Sequence, residues 1–203
     1  MRSLSTQHIS DLSQIYVDDI ELVNLQRPSA ALTGVTQKLL SSRTPIQLRW
    51  EQECQDFEAT RRALGSSLCE ELQELLCQEV ELMGEVLEEL FGVKKVGIRL
   101  ATINRPMCPR FHVDQVACRL LFTIQGPGTE WIPNLDVEET LFADKQSKVV
   151  PLKPGGQVKQ VDTGCWSLLK GGKWQEPFEG IVHRSPNTTE PRLLLSVDPI
   201  FDV

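Results

Sequence analysis

The sequence predicts a mainly β protein with a helical N-terminal part, and three observations carry that expectation. Beyond Gly92 the hydrophobic period falls to two, in runs of only a few residues. Gly- and Pro-rich turn signals separate those runs. The one long stretch of helical period, from Leu68 to Leu90, lies ahead of all of them. One structural domain is expected overall, with a helical region over 1–92 packing on a β core over 93–203.

Residues 1 to about 45 are mixed and polar, broken by Pro28 and Pro45, and carry no usable period. The segment 46–91 holds no proline and reads as two helices divided near Gly65-Ser66-Ser67. Ser67 followed by Glu70 has the spacing of a capping box for the second helix. Its apolar stripe includes Leu72, Leu76, Val80, Met83 and Leu87, and Gly92 is the expected C-cap. The opposite face carries Glu70, Glu71, Glu74, Glu81, Glu85, Glu88 and Glu89 and reads as a solvated surface. A stripe this apolar could serve a homodimer as easily as the core.

In the second half, Val96-Ile98-Leu100, RLLFTI (119–124), KVVPL (148–152), CWSLL (165–169) and RLLLSV (192–197) read as short strands. Gly126-Pro127-Gly128, Pro154-Gly155-Gly156 and Gly171-Gly172 supply turns between them. Many short strands with such turns imply a β-sandwich or barrel.

Composition narrows the functions. The 203 residues are 40% hydrophobic and 24% charged, which is ordinary for a soluble globular chain. A net charge of −7 excludes general clamping of nucleic-acid backbones. No window approaches the ~20 apolar residues of a membrane span, and MRSLSTQHISDLSQ has no apolar signal-peptide core, so a cytoplasmic protein is expected. The six cysteines then read as free thiols or metal ligands rather than disulfides. GxxxxGK[ST] and GxGxxG are both absent, so nucleotide chemistry is unsupported, and Lys170 and Lys173 read as a hairpin tip.

Of three histidines, His8 lies in the polar N-terminal tail, while His112 and His183 fall at the edges of expected strands. The spacing in His112-Val113-Asp114 puts an imidazole and a carboxylate on one face of an extended chain. His183 would complete two histidines and one carboxylate, a facial triad that leaves metal positions open as in non-haem Fe(II) oxygenases. Arg192 follows, with Asn187 and Pro191 allowing a hairpin that would lay it beside His183. Its planar fork suits a carboxylate, and a dicarboxylate such as 2-oxoglutarate would offer one end to the metal and the other to Arg192. An ion pair between Arg192 and Asp198 is the structural alternative.

His-x-Asp, a distant His and an Arg further on resemble the Fe(II)- and 2-oxoglutarate-dependent double-stranded β-helix oxygenases. VHRSP (182–186) is similar to their strand and turn bearing the distal histidine, and Asp162-Thr163-Gly164 through Trp166 to the strand before it. CPRFHVD with RLLFTIQGPGTEW resembles, over roughly 90–200, a bacterial domain-of-unknown-function family, number 1826. The resemblance implies a double-stranded β-helix (jelly-roll, cupin-like) core. It implies His112, Asp114 and His183 as iron ligands and Arg192 as the 2-oxoglutarate anchor. With Asp114 present it implies hydroxylation rather than halogenation. One departure is Leu194, where many of these enzymes carry a hydroxyl two residues after the arginine; Ser196 or Thr123 could substitute.

The expected function is thus an Fe(II)/2-oxoglutarate dioxygenase of unknown substrate, either a small molecule or a protein side chain, with no membrane partner. The alternative is a non-catalytic zinc-binding or metal-homeostasis protein on the same barrel. Cys108 is the candidate extra ligand there, since thiolates favour zinc. A third reading is a degenerate barrel that binds no metal and interacts through its acidic helix. Trp131 and Cys118 are candidate pocket residues, Glu130 reads as a loop charge, and Trp166, Trp174 and Cys165 read as core.

Overall fold

A computed structural model describes residues 2–42, 45–175 and 179–201. In chain order it has β1 (Arg2–Thr6), a 3-10 segment (Ile9–Tyr16), β2 (Ile20–Gln26), α1 (Ala30–Ser41), β3 (Gln47–Glu53), α2 (Phe57–Leu64) and α3 (Glu70–Phe91). There follow β4 (Lys95–Ile103), β5 (Cys118–Gln125), β6 (Glu130–Ile132), α4 (Glu139–Ala143), β7 (Lys159–Gln160), β8 (Cys165–Lys170), β9 (Val182–Arg184) and β10 (Arg192–Ile200). The protein is mainly β sheet with some helices. A seven-stranded sheet has the order β1-β2-β8-β5-β10-β4-β3, and a three-stranded sheet the order β7-β6-β9. Apart from parallel β1–β2, the larger sheet pairs antiparallel.

Period two decides what each face of the larger sheet meets. Leu193, Leu195 and Val197 of β10, Leu120 and Phe122 of β5, and Ile98 and Leu100 of β4 turn to the helices, joining Leu72, Leu76, Val80, Met83 and Leu87 of α3 in the main core. The apolar stripe of α3 is therefore used within this chain. On the other face, Leu22, Leu121 and Leu169 pack with Trp131 and Ile181, which ties the smaller sheet onto the larger one. The residues alternating with the core side chains, among them Arg99, Arg119, Leu194 and Ser196, line a cavity on this second face.

The first 92 residues differ from the helical region expected of them. β1, β2 and β3 lie there, and all three extend the larger sheet. β3 occupies residues expected to be helical, because Gln47 to Glu53 pair residue by residue with Ala101 to Lys95 of β4. An open sheet edge there outweighs the helical propensity of a Gln- and Glu-rich run. Ser67 does not cap α3: Cys69 is its N-cap and makes no side-chain cap bond, while Gln73 Nε2 binds the carbonyls of Gly65 and Leu68. Gly92 is the left-handed C-cap as expected. Residues 148–152 form no strand, only a bridge between Val137 and Leu152, since Pro151 has no N–H to offer a ladder. All six cysteines are free. Among the described residues no helix is long and apolar enough to cross a membrane.

Candidate metal centre

His112 lies in an extended segment ahead of β5, and its partner is His183 of β9. The two exchange both backbone hydrogen bonds, N to O at 2.9 Å each way, in an isolated antiparallel bridge. Directly paired residues share a face, so both imidazoles point the same way with ring centroids 4.6 Å apart. Each ring is oriented by a carbonyl two residues back in its own segment. His112 Nδ1 lies 2.9 Å from Arg110 O, and His183 Nδ1 lies 3.0 Å from Ile181 O. A proton donated from Nδ1 leaves Nε2 with its lone pair, the state in which imidazole binds metals.

Asp114 completes the group. Its Oδ1 is 3.6 Å from His112 Nε2 and its Oδ2 is 3.2 Å from His183 Nε2. One donor atom from each of the three residues lies within 4.8 Å of the others, a spacing that could hold a metal ion. Arg119 of β5 anchors the carboxylate: Nη1 donates to Asp114 Oδ2 at 2.6 Å, while Nε and Nη2 bind Asp198 of β10 at 2.7 and 2.6 Å. Burial works against the charge on Asp114, but the two histidines and the Arg119 guanidinium hold its carboxyl far below the usual carboxylate range. The Asp114 carboxylate in turn raises His112 above its ordinary value, against the opposing pull of burial.

Arg192 opens β10 and is 1% exposed. Nη2 donates to Thr129 Oγ1 at 3.3 Å, and Nε and Nη1 have no partner among the described residues. Burial pushes this guanidinium down to about 10. A buried cation with two unused donors carries a desolvation cost that an anion would relieve. The chain is built to bring it there: Gly126 has φ +82°, and a Cβ on it would collide with Pro191 O and lie 2.9 Å from Arg192 Cγ. Only glycine fits this turn against the base of Arg192.

A cavity of about 220 Å³ contains His112, Asp114 and His183, and Thr129, Leu121, Leu194 and Ser196 also line it. The sequence-expected residues divide at this cavity. The triad converges, and Arg192 approaches through Thr129, but from the larger sheet rather than on a strand beside His183, which belongs to the smaller one. Asp198 pairs with Arg119, not Arg192. Cys108 lines the cavity with its carbonyl bound to Ser185 N–H, yet it is not among the three clustered residues that could hold a metal. Trp131 faces His183 in register but packs with Leu22, Leu121 and Leu169. Cys118 is wholly buried in the main core, because it starts β5 on its helix-facing side. Neither lines the cavity. Glu130 is no loop charge: it lies in β6 and binds Arg184 Nε at 2.6 Å.

Arg119 and Thr129 went unread in the sequence. Arg119 could have been found by period two, since it alternates with core Leu120 and so faces the same side as Leu121. Thr129 had no such signal, because its place beside Arg192 depends on the fold of the Gly126–Gly128 turn.

Among curated proteins no sequence matches this chain. A family model described as a protein of unknown function, DUF1826, matches residues 6–198. The fold is similar to that of a rice dioxygenase for auxin oxidation, at 11% identity and a TM-score of 0.60, covering 98% of this chain and 83% of that one. It is similar to dioxygenase for auxin oxidation 1 from Arabidopsis thaliana, solved with 2-oxoglutarate, at 10% identity and a TM-score of 0.56 over 100% and 93% of the two chains. A prolyl-4-hydroxylase from Pseudomonas putida matches at 9% identity and a TM-score of 0.55 over 97% and 100%.

Proposed function

The chain belongs to DUF1826, a family of proteins of unknown function, and from that premise we propose that it is an Fe(II)- and 2-oxoglutarate-dependent dioxygenase of the hydroxylase type. The observation that carries the reading is Arg192, buried with Nε and Nη1 unpartnered, close to a cavity that holds two histidines and a carboxylate. Two stacked, mostly antiparallel sheets with the cavity between them suit a double-stranded β-helix, in keeping with the fold likeness to oxygenases.

The donor set fits a hard, open-sided metal. His112 Nε2, His183 Nε2 and an Asp114 oxygen would hold iron from one side, as in the two-histidine, one-carboxylate facial arrangement. Retention of the carboxylate favours hydroxylation. When bound, iron and the oxoacid would supply the oxidation of a C–H bond by dioxygen, coupled to decarboxylation of the oxoacid. The chain's own part is binding and orientation. Arg192 would grip the far carboxylate of 2-oxoglutarate with the donors it leaves unused, and Thr129 supplies the hydroxyl beside it that Leu194 lacks. Arg119 keeps Asp114 ionised and aimed, and Leu121 and Leu194 exclude water from the cavity wall. Cys108, the extra ligand of the zinc reading, lines the cavity but is not in the cluster of three.

Anaerobic titration of metal-free protein with Fe(II) and then 2-oxoglutarate tests this. A visible charge-transfer band that forms with both and vanishes on admitting air is the expected result. Weak iron binding, no band, and displacement by zinc would overturn it.

A further inference from the structure

The cavity of the triad continues outward across the larger sheet. A second concavity of about 220 Å³ shares Arg99, Arg119 and Ser196 with it and extends to Arg49 and Trp50 on β3. Arg49 and Arg99 are direct cross-strand partners, so both side chains leave the same face of the sheet. Like charges in that position repel. The third arginine, Arg119, is taken up by Asp114 and Asp198. Arg99 donates only to uncharged atoms, Gln47 Oε1 at 3.4 Å and Met107 Sδ at 2.8 Å. Among the described residues neither Arg49 nor Arg99 has a carboxylate partner. Glu51, two residues along β3, reaches the outer concavity but forms no ion pair with either. Burial, with the charges of Arg49 and Arg119, pushes Arg99 below its ordinary value. In a chain of net charge −7, two facing arginines are left unpaired at the outer end of a metal-binding cavity. Arg119 and Ser196 lie at the junction of the two concavities, and the inner cavity adds an apolar stretch of Ala101, Leu121 and Leu194.

We infer that Arg49 and Arg99 form an anion-recognition site and that the molecule oxidised is a small organic acid. Its charged head would bridge the two guanidinium groups, and its aliphatic body would lie over Ala101, Leu121 and Leu194 toward the triad. Arginine forks suit a carboxylate or phosphate head, and one bound anion turns the repulsion of the pair into two attractions. The ligand's standing as a substrate rests on the oxygenase reading; the anion site does not.

Calorimetric titration of the 203-residue, metal-free protein with hexanoate, hexyl phosphate and hexan-1-ol separates the two ideas. At least one of the two anions should bind, with hexan-1-ol about tenfold weaker or worse, and the better anion distinguishes a carboxylate from a phosphate head. Arg49→Gln and Arg99→Gln should each weaken the anion about tenfold, and added salt should weaken it further. Both variants should melt about 1–3 °C higher without ligand, because each removes a like-charge pair. Equal affinity for all three probes, or unchanged anion affinity in both variants, overturns the inference. The Fe(II)–2-oxoglutarate band, run on the same wild-type protein, reports on the oxygenase reading alone. Selective anion binding without the band removes that reading and keeps the anion site; the band with unselective binding does the reverse.

Discussion

Arg119 Nη1 lies 2.6 Å from Oδ2 of Asp114, the same oxygen that His183 Nε2 approaches to 3.2 Å. That oxygen already accepts from a cation, which leaves Oδ1, 3.6 Å from His112 Nε2, the less engaged of the two. The other edge of the guanidinium grips both oxygens of Asp198. Asp114 sits outside any regular strand, and its aim is set by β5 and β10 through this one side chain.

The first expected outcome follows from that relay. Arg119→Gln should keep all three metal donors yet lower Fe(II) affinity about 10–100-fold, the usual effect of losing a residue that orients a ligand. Asp114→Ala should lose binding altogether. Titration with Fe(II), or with Co(II) as a visible probe, checks both, and an unchanged affinity in Arg119→Gln would show that Asp114 needs no help to point at the ion.

Arg192→Met should move stability and binding in opposite directions. Removing a buried cation with two unpartnered donors should stabilise the ligand-free protein by about 1–3 kcal/mol, read as a higher Tm. The same change should weaken 2-oxoglutarate about 100-fold, for two charge-assisted hydrogen bonds, with Fe(II) affinity retained. A lower Tm would mean that Arg192 is satisfied by something other than an anion.

Much of the site was legible because it is local. His112-Val113-Asp114 needs only an extended backbone to put two candidate ligands together, and the β8 and β10 runs announce themselves as short apolar stretches set off by Gly164, Gly171 and Pro191. What the sequence hid is what long-range pairing decides. β3 reads as helix until β4 is available as a partner. Glu79 belongs to a helix rich in exposed acids, yet it is buried because Arg27 and the Trp166 indole N–H converge on it, at 3.1 and 3.0 Å. Arg192 reaches the Thr129 hydroxyl of the cavity wall, but from the sheet opposite His183, since the turn after β9 crosses between sheets rather than folding back as a hairpin.

Gly126→Ala should disturb the oxoacid site without touching the metal. The new methyl group would collide with Pro191 O and press on Arg192, at a positive φ that costs an alanine about 1–3 kcal/mol. The 2-oxoglutarate midpoint should rise severalfold while the Fe(II) midpoint stays put. Equal loss of both would indicate general unfolding instead, which a melting curve distinguishes.

Glu21 offers a test of burial through pH. It is the extra residue where β1 and β2 lose register, Arg2 pairing with Ile20 and Ser3 with Leu22, and the bulge leaves it wholly buried. Oε1 accepts the Asn134 N–H at 2.9 Å, but Oε2 has no partner. Burial raises its pKa, and the Asn134 N–H and the charges of Lys159 and Lys170 offset that only in part. Because the folded value is raised, the protonated carboxyl costs nothing extra at low pH, and stability is lost as pH rises through the folded value. Glu21→Gln should therefore raise Tm clearly at about pH 7 and far less at about pH 4, where the wild-type carboxyl is mostly neutral in both states. Paired melts of the two proteins at these two pH values decide it: an equal shift at both would trace the gain to packing and not to the buried charge.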